Sequence, residues 1–136
     1  TAVGAAQISR RPVVLITGDL SFFYDINGLW NDAIPKNFKI VLINNQGGGI
    51  FRILPGKKDT PEYDRYFETI HERSAKHIAK AFNLGYTSAA SMLGLKIKFS
   101  RFLNSNEKPQ ILEIQTPRKL NDSILLDYFK WMRAKA

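Results

Sequence analysis

Two continuous apolar runs, Val13-Val14-Leu15-Ile16 and Ile40-Val41-Leu42-Ile43, dominate the first third of the chain. Runs rich in β-branched residues and free of polar interruption suit strands buried on both faces, as in a parallel sheet. Strands are therefore predicted over residues 12–17 and 38–43. Between them Phe22, Phe23, Ile26, Leu29 and Trp30 recur at the spacing of one helix face, which predicts a helix over 21–32 that Pro35 ends. Ahead of the first strand the small residues Ala2, Gly4, Ala5 and Ala6 suit a closely packed helix. Ser74 and Gly85 bracket a helix over 74–83, and Ser88 opens another that runs to 104. Ile111, Leu112 and Ile114 mark a strand over 109–116. Asn121-Asp122-Ser123 then opens a terminal helix with Ile124, Leu125, Tyr128, Phe129 and Met132 on one face. Residues 46–69, rich in glycine, proline and charge, are too long for a plain connector in a compact domain. Strand and helix alternate along the chain, which predicts a three-layer α/β/α domain with a mostly parallel sheet.

Composition narrows the chemistry. The chain has 136 residues, 44% of them hydrophobic, enough for one domain with its own core. It has no cysteine, so disulfides and thiolate metal sites are excluded, and with only two histidines, His71 and His77, a multi-histidine zinc site is not expected. No apolar run approaches the roughly 20 residues that span a bilayer, and no signal peptide is evident. The expectation is a cytoplasmic protein with no membrane partner. A formal charge of +8 raises nucleic-acid binding. The basic residues are scattered, however, as Arg10-Arg11, Lys57-Lys58, Lys96/Lys98/Arg101, Arg118-Lys119 and Lys130/Arg133/Lys135, and twelve acids are interleaved. Attraction for anionic substrates, or a solvated basic surface, accounts for the charge as well, and no nucleic-acid partner is expected.

The chemistry concentrates where two strands end. Gly18-Asp19-Leu20-Ser21 follows the first run, and Asn44-Asn45-Gln46-Gly47-Gly48-Gly49 follows the second. A crossover helix makes such strands parallel neighbours, and the carboxyl ends of a parallel sheet are where ligands bind. Magnesium takes hard oxygen donors and usually keeps one or two protein carboxylates beside phosphate oxygens and water. Asp19 offers a charged oxygen, Asn45 a neutral one and the Gly47 carbonyl a third. The amides of Leu20 and Ser21, at the start of a helix, favour an anion. Taken singly, Gly-Asp is an ordinary capped turn and Asn-Asn before glycines ordinary turn chemistry. Together, 26 positions apart at the ends of two buried strands, they point to a metal-bridged diphosphate.

These words resemble the signature of thiamin-diphosphate enzymes, a Gly-Asp-Gly opening closed by Asn-Asn one βαβ unit later. The stretches Gly18 to Leu29 and Asn44 to Pro55 are similar to the menaquinone-pathway family of 2-succinyl-5-enolpyruvyl-6-hydroxy-3-cyclohexene-1-carboxylate synthases, in which leucine also replaces the third glycine, as Leu20 does here. Similarity continues through Phe67-Glu68-Thr69-Ile70-His71 and residues 75–84, though Ile70 stands where the family has proline, which leaves the role of His71 open. The resemblance implies a transferase/lyase that decarboxylates 2-oxoglutarate and adds the succinic-semialdehyde unit to isochorismate. It implies thiamin diphosphate and Mg2+ (or Mn2+) as cofactors, with Asp19, Asn45 and the Gly47 carbonyl on the metal and Gly18, Leu20, Ser21 and Gly47 at the diphosphate. Ile50, Phe51 and Leu54 match the apolar wall of the site; the alternative is that Ile50 and Phe51 pin the loop to the core. The resemblance implies a homodimer or homotetramer for the complete enzyme, with the activating glutamate on a separate pyrimidine-binding domain, usually of a partner subunit. Residues 1–136 thus read as the diphosphate domain, a C-terminal piece lacking the pyrimidine-binding and central domains, with no catalytic residue of its own and inactive alone. Glu113 reads as a strand-end or exposed charge, His77 as surface or packing, and Arg52 as adjacent in sequence without an assigned contact. Two other readings stay open: a carboligase of the acetolactate-synthase type, and a non-catalytic α/β module that binds anions.

Overall fold

The computed structural model describes every residue except 57, 59 and 136, so Lys57 of the basic pair lies outside the described residues. The chain divides into two compact units, residues 1–44 with 74–115 and residues 45–73 with 116–136.

The first unit is built on a parallel sheet of β1 (Val13–Gly18), β2 (Phe38–Asn44), β3 (Gly85–Ala89) and β4 (Gln110–Gln115), in the order β1-β2-β4-β3. On one face Ile40, Leu42 and Ile111 pack with Ala6 of α1 (Ala2–Ile8), Phe22 of α2 (Asp19–Tyr24) and Ala79 of α4 (Lys76–Ala81). On the other, Val41 and Leu112 meet Phe102 of α5 (Met92–Asn104). Helices on both faces of a parallel sheet make the predicted α/β/α layering. Each fully buried side chain such as Leu42, Ile111 or Leu112 stabilises the fold by roughly 1.5–3 kcal/mol.

The central strand β2 is buried almost throughout, as its apolar run predicts. β1 departs from the prediction. It is an edge strand whose burial alternates: Val13 and Leu15 pack on the core, while Val14 and Ile16 are exposed, Ile16 by 70%. The physical reason is coverage, since α5 lies over β3 and β4.

The helix predicted over 21–32 is shorter. α2 stops at Tyr24, a 3-10 turn takes Ile26–Leu29, and Trp30 is 81% exposed instead of lying on a buried face. Asp25, Asn27 and Gly28 are poor in helix interiors because two have side chains that compete for backbone groups and one has excess freedom. The helix predicted over 74–83 is α4. Its start is tied by the Ser74 hydroxyl, which accepts from the Lys76 amide at 3.2 Å. Gly85 does not simply close that helix; it opens β3. Ser88 lies inside β3, and the cap of α5 is Ser91, whose hydroxyl accepts from the Gly94 amide at 3.1 Å. β3 has no apolar run because it is a half-buried edge strand with β4 as its neighbour.

The second unit holds α3 (Ile50–Ile53), a π-helical turn at Tyr63–Phe67 and α6 (Asn121–Arg133). Within the stretch 46–69, residues 50–53 and 63–67 are therefore helical, which a plain connector is not. α6 starts where Asn121-Asp122-Ser123 predicts, but no residue on it is buried, and Ile124 is 57% exposed. The amphipathic pattern is present without a core beneath it in this chain. Among the described residues no helix is long and apolar enough to cross a membrane.

Candidate functional site

The register of β1 and β2 sets Gly18 opposite Ile43, so Asp19 and Asn44 stand at the same carboxyl edge of adjacent parallel strands. Asp19 is the first residue of α2 and only 2% exposed; its Oδ1 accepts the Leu20 amide at 2.7 Å. An acid in the first turn also suits the helix dipole. Gly18 is exposed, and its backbone (φ −83°, ψ 165°) is open to any residue. A Cβ there meets no protein atom within 4 Å. Among the described residues nothing requires glycine at that position; a ligand set close against the backbone would. Leu20 is half-buried and Ser21 exposed.

Sequence reasoning misjudged Glu113. It is neither at a strand end nor exposed: it lies within β4 and is completely buried. Its carboxylate accepts four hydrogen bonds, from Asn44 Nδ2 (2.6 Å), the Tyr86 hydroxyl (2.5 Å), the Ser74 hydroxyl (2.8 Å) and the Ala75 amide (3.2 Å). One carboxylate thus joins the end of β2, strand β3 and the start of α4. The signal for it is a single acid inside the apolar run Ile111-Leu112-Glu113-Ile114, since a charge buried in a sheet must be hydrogen-bonded or paired. Lys39, equally buried in β2, was also passed over; its ammonium donates to the Ser105 carbonyl.

Burial pushes the Tyr86 phenol above its ordinary value of 10.0, and the hydrogen bond to the Glu113 carboxylate adds to the shift. The folded chain therefore holds this proton more tightly than the unfolded chain. The associated stability is complete below pH 10 and lost as pH rises through the folded value. Burial lowers Lys39 below 10.5, which gives the opposite slope, toward greater stability as pH rises. Because Lys39 is common to both proteins, Tyr86→Phe isolates the first effect. Urea unfolding followed across the alkaline range should show a shallower loss for Tyr86→Phe than for the wild type; parallel curves would contradict the assignment.

In the second unit, Asn45 is half-buried and Gly47 buried. Gly47 has φ +149°, and a Cβ there would lie 2.7 Å from the Glu68 carbonyl, so glycine is required by both conformation and space. The Asn45 amide packs against Gly49, where a Cβ would come within 2.7 Å of its Nδ2. Ile50 (56% exposed) and Leu54 (46%) offer apolar surface and do not pin the loop to a core; Phe51 makes an edge-on contact with Phe67, ring centroids 6.0 Å apart. Arg52 forms an ion pair with Glu68. His71 is buried, and its Nδ1 accepts the Arg73 amide at 3.0 Å. His77 is exposed on α4, the surface position expected of it.

The candidate residues supply a carboxylate, a carboxamide and a backbone carbonyl. All are hard oxygen donors, the type that Mg2+ takes beside phosphate oxygens and water. Each of these donor types is one that a metal-bound diphosphate takes.

Residues 1–114 match the family model described as "Thiamine pyrophosphate enzyme, C-terminal TPP binding domain". The chain is 52% identical over 134 residues to a 2-succinyl-5-enolpyruvyl-6-hydroxy-3-cyclohexene-1-carboxylate synthase of Christiangramia forsetii, covering 98% of this chain and 23% of that protein. It is 55% identical over 130 residues to the protein of the same name from Flavobacterium johnsoniae, covering 96% and 24%. The chain spans about a quarter of the length of these curated relatives. Among solved structures, benzoylformate decarboxylase from Polynucleobacter necessarius aligns with a TM-score of 0.60 at 20% identity, over 86% of this chain and 22% of that one; the likeness is one of fold.

Proposed function

Because the chain belongs to the thiamine pyrophosphate enzyme family, through the C-terminal TPP-binding domain, we propose that it anchors the cofactor in a thiamin-diphosphate- and Mg2+-dependent synthase. That enzyme decarboxylates 2-oxoglutarate and adds the succinic-semialdehyde unit to isochorismate, in menaquinone biosynthesis. The observation that carries the reading is the strand-end pair: buried Asp19 and Asn44-Asn45 close two adjacent, in-register parallel strands, within a chain 52% identical to a synthase of that name.

In this reading the Asp19 carboxylate, the Asn45 carboxamide and the Gly47 carbonyl hold Mg2+, for which Mn2+ can substitute. Gly18, Leu20 and Ser21 line the diphosphate, and the openness at Gly18 supports that role. Ile50, Phe51 and Leu54 form an apolar wall; the exposure of Ile50 and Leu54 supports their availability to a ligand. An apolar wall excludes water and so strengthens each electrostatic contact inside the site. When bound, thiamin diphosphate supplies the electron sink that lets a 2-oxo acid lose CO2. No residue of this chain is assigned an acid or base role. The protein acts as a cytoplasmic homo-oligomer on small-molecule substrates.

The test is a turnover assay on the full-length protein with thiamin diphosphate and Mg2+. CO2 released from 2-oxoglutarate, with an adduct formed only when isochorismate is present, is the expected result; residues 1–136 alone should give neither. Acetolactate made from pyruvate would favour the carboligase reading instead. No effect of the cofactor on any 2-oxo acid would favour the anion-binding module.

A further inference from the structure

Two guanidiniums of the second unit share one carboxylate. Arg52 of α3 and Arg118 both reach Glu68 Oε1, the latter at 3.1 Å, and the Glu68 side chain is 3% exposed. Arg52 is fixed further by donating to the Arg118 carbonyl, and its Nε lies 4.0 Å from Asp122 Oδ2. Lys58 donates in turn to the Arg52 carbonyl.

The main chain of the same glutamate holds the glycine loop. The Gly48 amide donates to the Glu68 carbonyl at 2.7 Å, and the His71 amide donates to the Gln46 carbonyl at 3.3 Å. Segments 46–48 and 68–71 are thus laced together. Both run through left-handed backbone at non-glycine residues, Gln46 at φ 63° and Thr69 at φ 52°. A β-branched residue in that region is strained by about 1–3 kcal/mol and persists only where its surroundings over-determine it. Here that constraint comes from the anchors on Glu68, immediately before Thr69.

We infer that Glu68 is a positioning residue for the Asn45–Gly49 loop, its side chain clamped by Arg52 and Arg118 so that its carbonyl fixes Gly48 beside the Gly47 carbonyl. The inference rests on the proposed function, in which that loop carries two of the metal ligands. The clamp also sets local charge. Removing the carboxylate leaves two guanidiniums with one fewer anion between them, next to a loop that must accept a divalent cation, and like charges at close range in a partly buried setting repel strongly.

The test is calorimetric titration of thiamin diphosphate into the full-length protein over a series of Mg2+ concentrations, with KM for the 2-oxo acid measured alongside. Glu68→Gln should raise the Mg2+ concentration for half-maximal cofactor binding by about 10–100-fold, the range seen when groups supporting a metal ligand are removed. KM should be unchanged at saturating metal. A merely structural role lowers the melting temperature without moving the metal requirement of the folded protein. An unmoved Mg2+ requirement therefore overturns the inference. Should Glu68→Gln fail to accumulate in folded form, Arg118→Gln decides. It removes one jaw of the clamp and should raise the requirement roughly 3–10-fold, below the full effect; no change overturns the inference. Wild-type binding that Asn45→Ala abolishes while Glu68→Gln leaves it intact refutes the clamp and spares the functional reading. Wild-type protein that binds no cofactor refutes both.

Discussion

Glu113→Ala should lower the stability of the protein by about 3–5 kcal/mol, because it leaves several buried donors without the carboxylate they share. The side chain is completely buried and accepts from Asn44, Ser74, Ala75 and Tyr86. Hydrogen bonds to charged groups contribute roughly 1.5–3 kcal/mol each, and donors left unpaired in the interior carry a further cost. Full additivity is not expected, because Ser74 and Tyr86 remain 3.1 Å apart and can satisfy one another. Glu113→Gln should cost less, since its carbonyl still accepts, but its amide hydrogens face the donors that the second oxygen now serves. Equilibrium urea unfolding of the full-length variants, followed by circular dichroism, measures both. A loss below about 1 kcal/mol for Glu113→Ala would place the residue with ordinary surface substitutions and contradict its role as the link between β2, β3 and α4.

The second large effect concerns Asp19. Replacing it with alanine removes the only carboxylate among the proposed metal donors. Groups that merely support a metal ligand cost about 10–100-fold in affinity when lost, so loss of a direct charged ligand should exceed the upper end of that range. The position argues that the effect is local. Asp19 opens a six-residue helix and contributes no apolar side chain to the core, so the fold should survive the change. Asn45→Ala should act in the same direction and less strongly, because a neutral oxygen is removed in place of a charged one.

The strands that bear these groups were legible because burial on both faces leaves a continuous apolar run, as in β2. β3 was not, since Gly85-Tyr86-Thr87-Ser88 carries no such run and its place comes from pairing with β4. β1 looked buried on both faces from its composition, yet Val14 and Ile16 are exposed. Composition reports what a strand can bury, not which layers cover it. The same holds for α6, whose apolar face is written plainly in the sequence and has no core beneath it in this chain.

At the site, Gly18-Asp19 and Asn44-Asn45 were readable because turn chemistry and strand ends are local features. The two carboxylates that organise their surroundings were not. Glu113 meets partners 27 to 69 positions away in sequence, and Arg118 meets Glu68 across 50. A lone acid in an apolar strand announces that a partner exists without saying which. The pairs Arg52–Glu68 and Arg118–Glu68 leave no pattern at all, since in sequence they are single charges 16 and 50 positions apart with no periodicity to link them.

We propose that this chain holds a diphosphate through a metal ion, with Asp19 and Asn45 among its ligands. The most direct measurement is calorimetric titration of thiamin diphosphate into the full-length protein, with Mg2+ and with Mg2+ removed by EDTA, for the wild type and Asp19→Ala. Saturable binding that needs Mg2+ and falls by more than roughly 100-fold in Asp19→Ala is the predicted result. Equal binding with and without the metal, or a variant indistinguishable from the wild type, would contradict it.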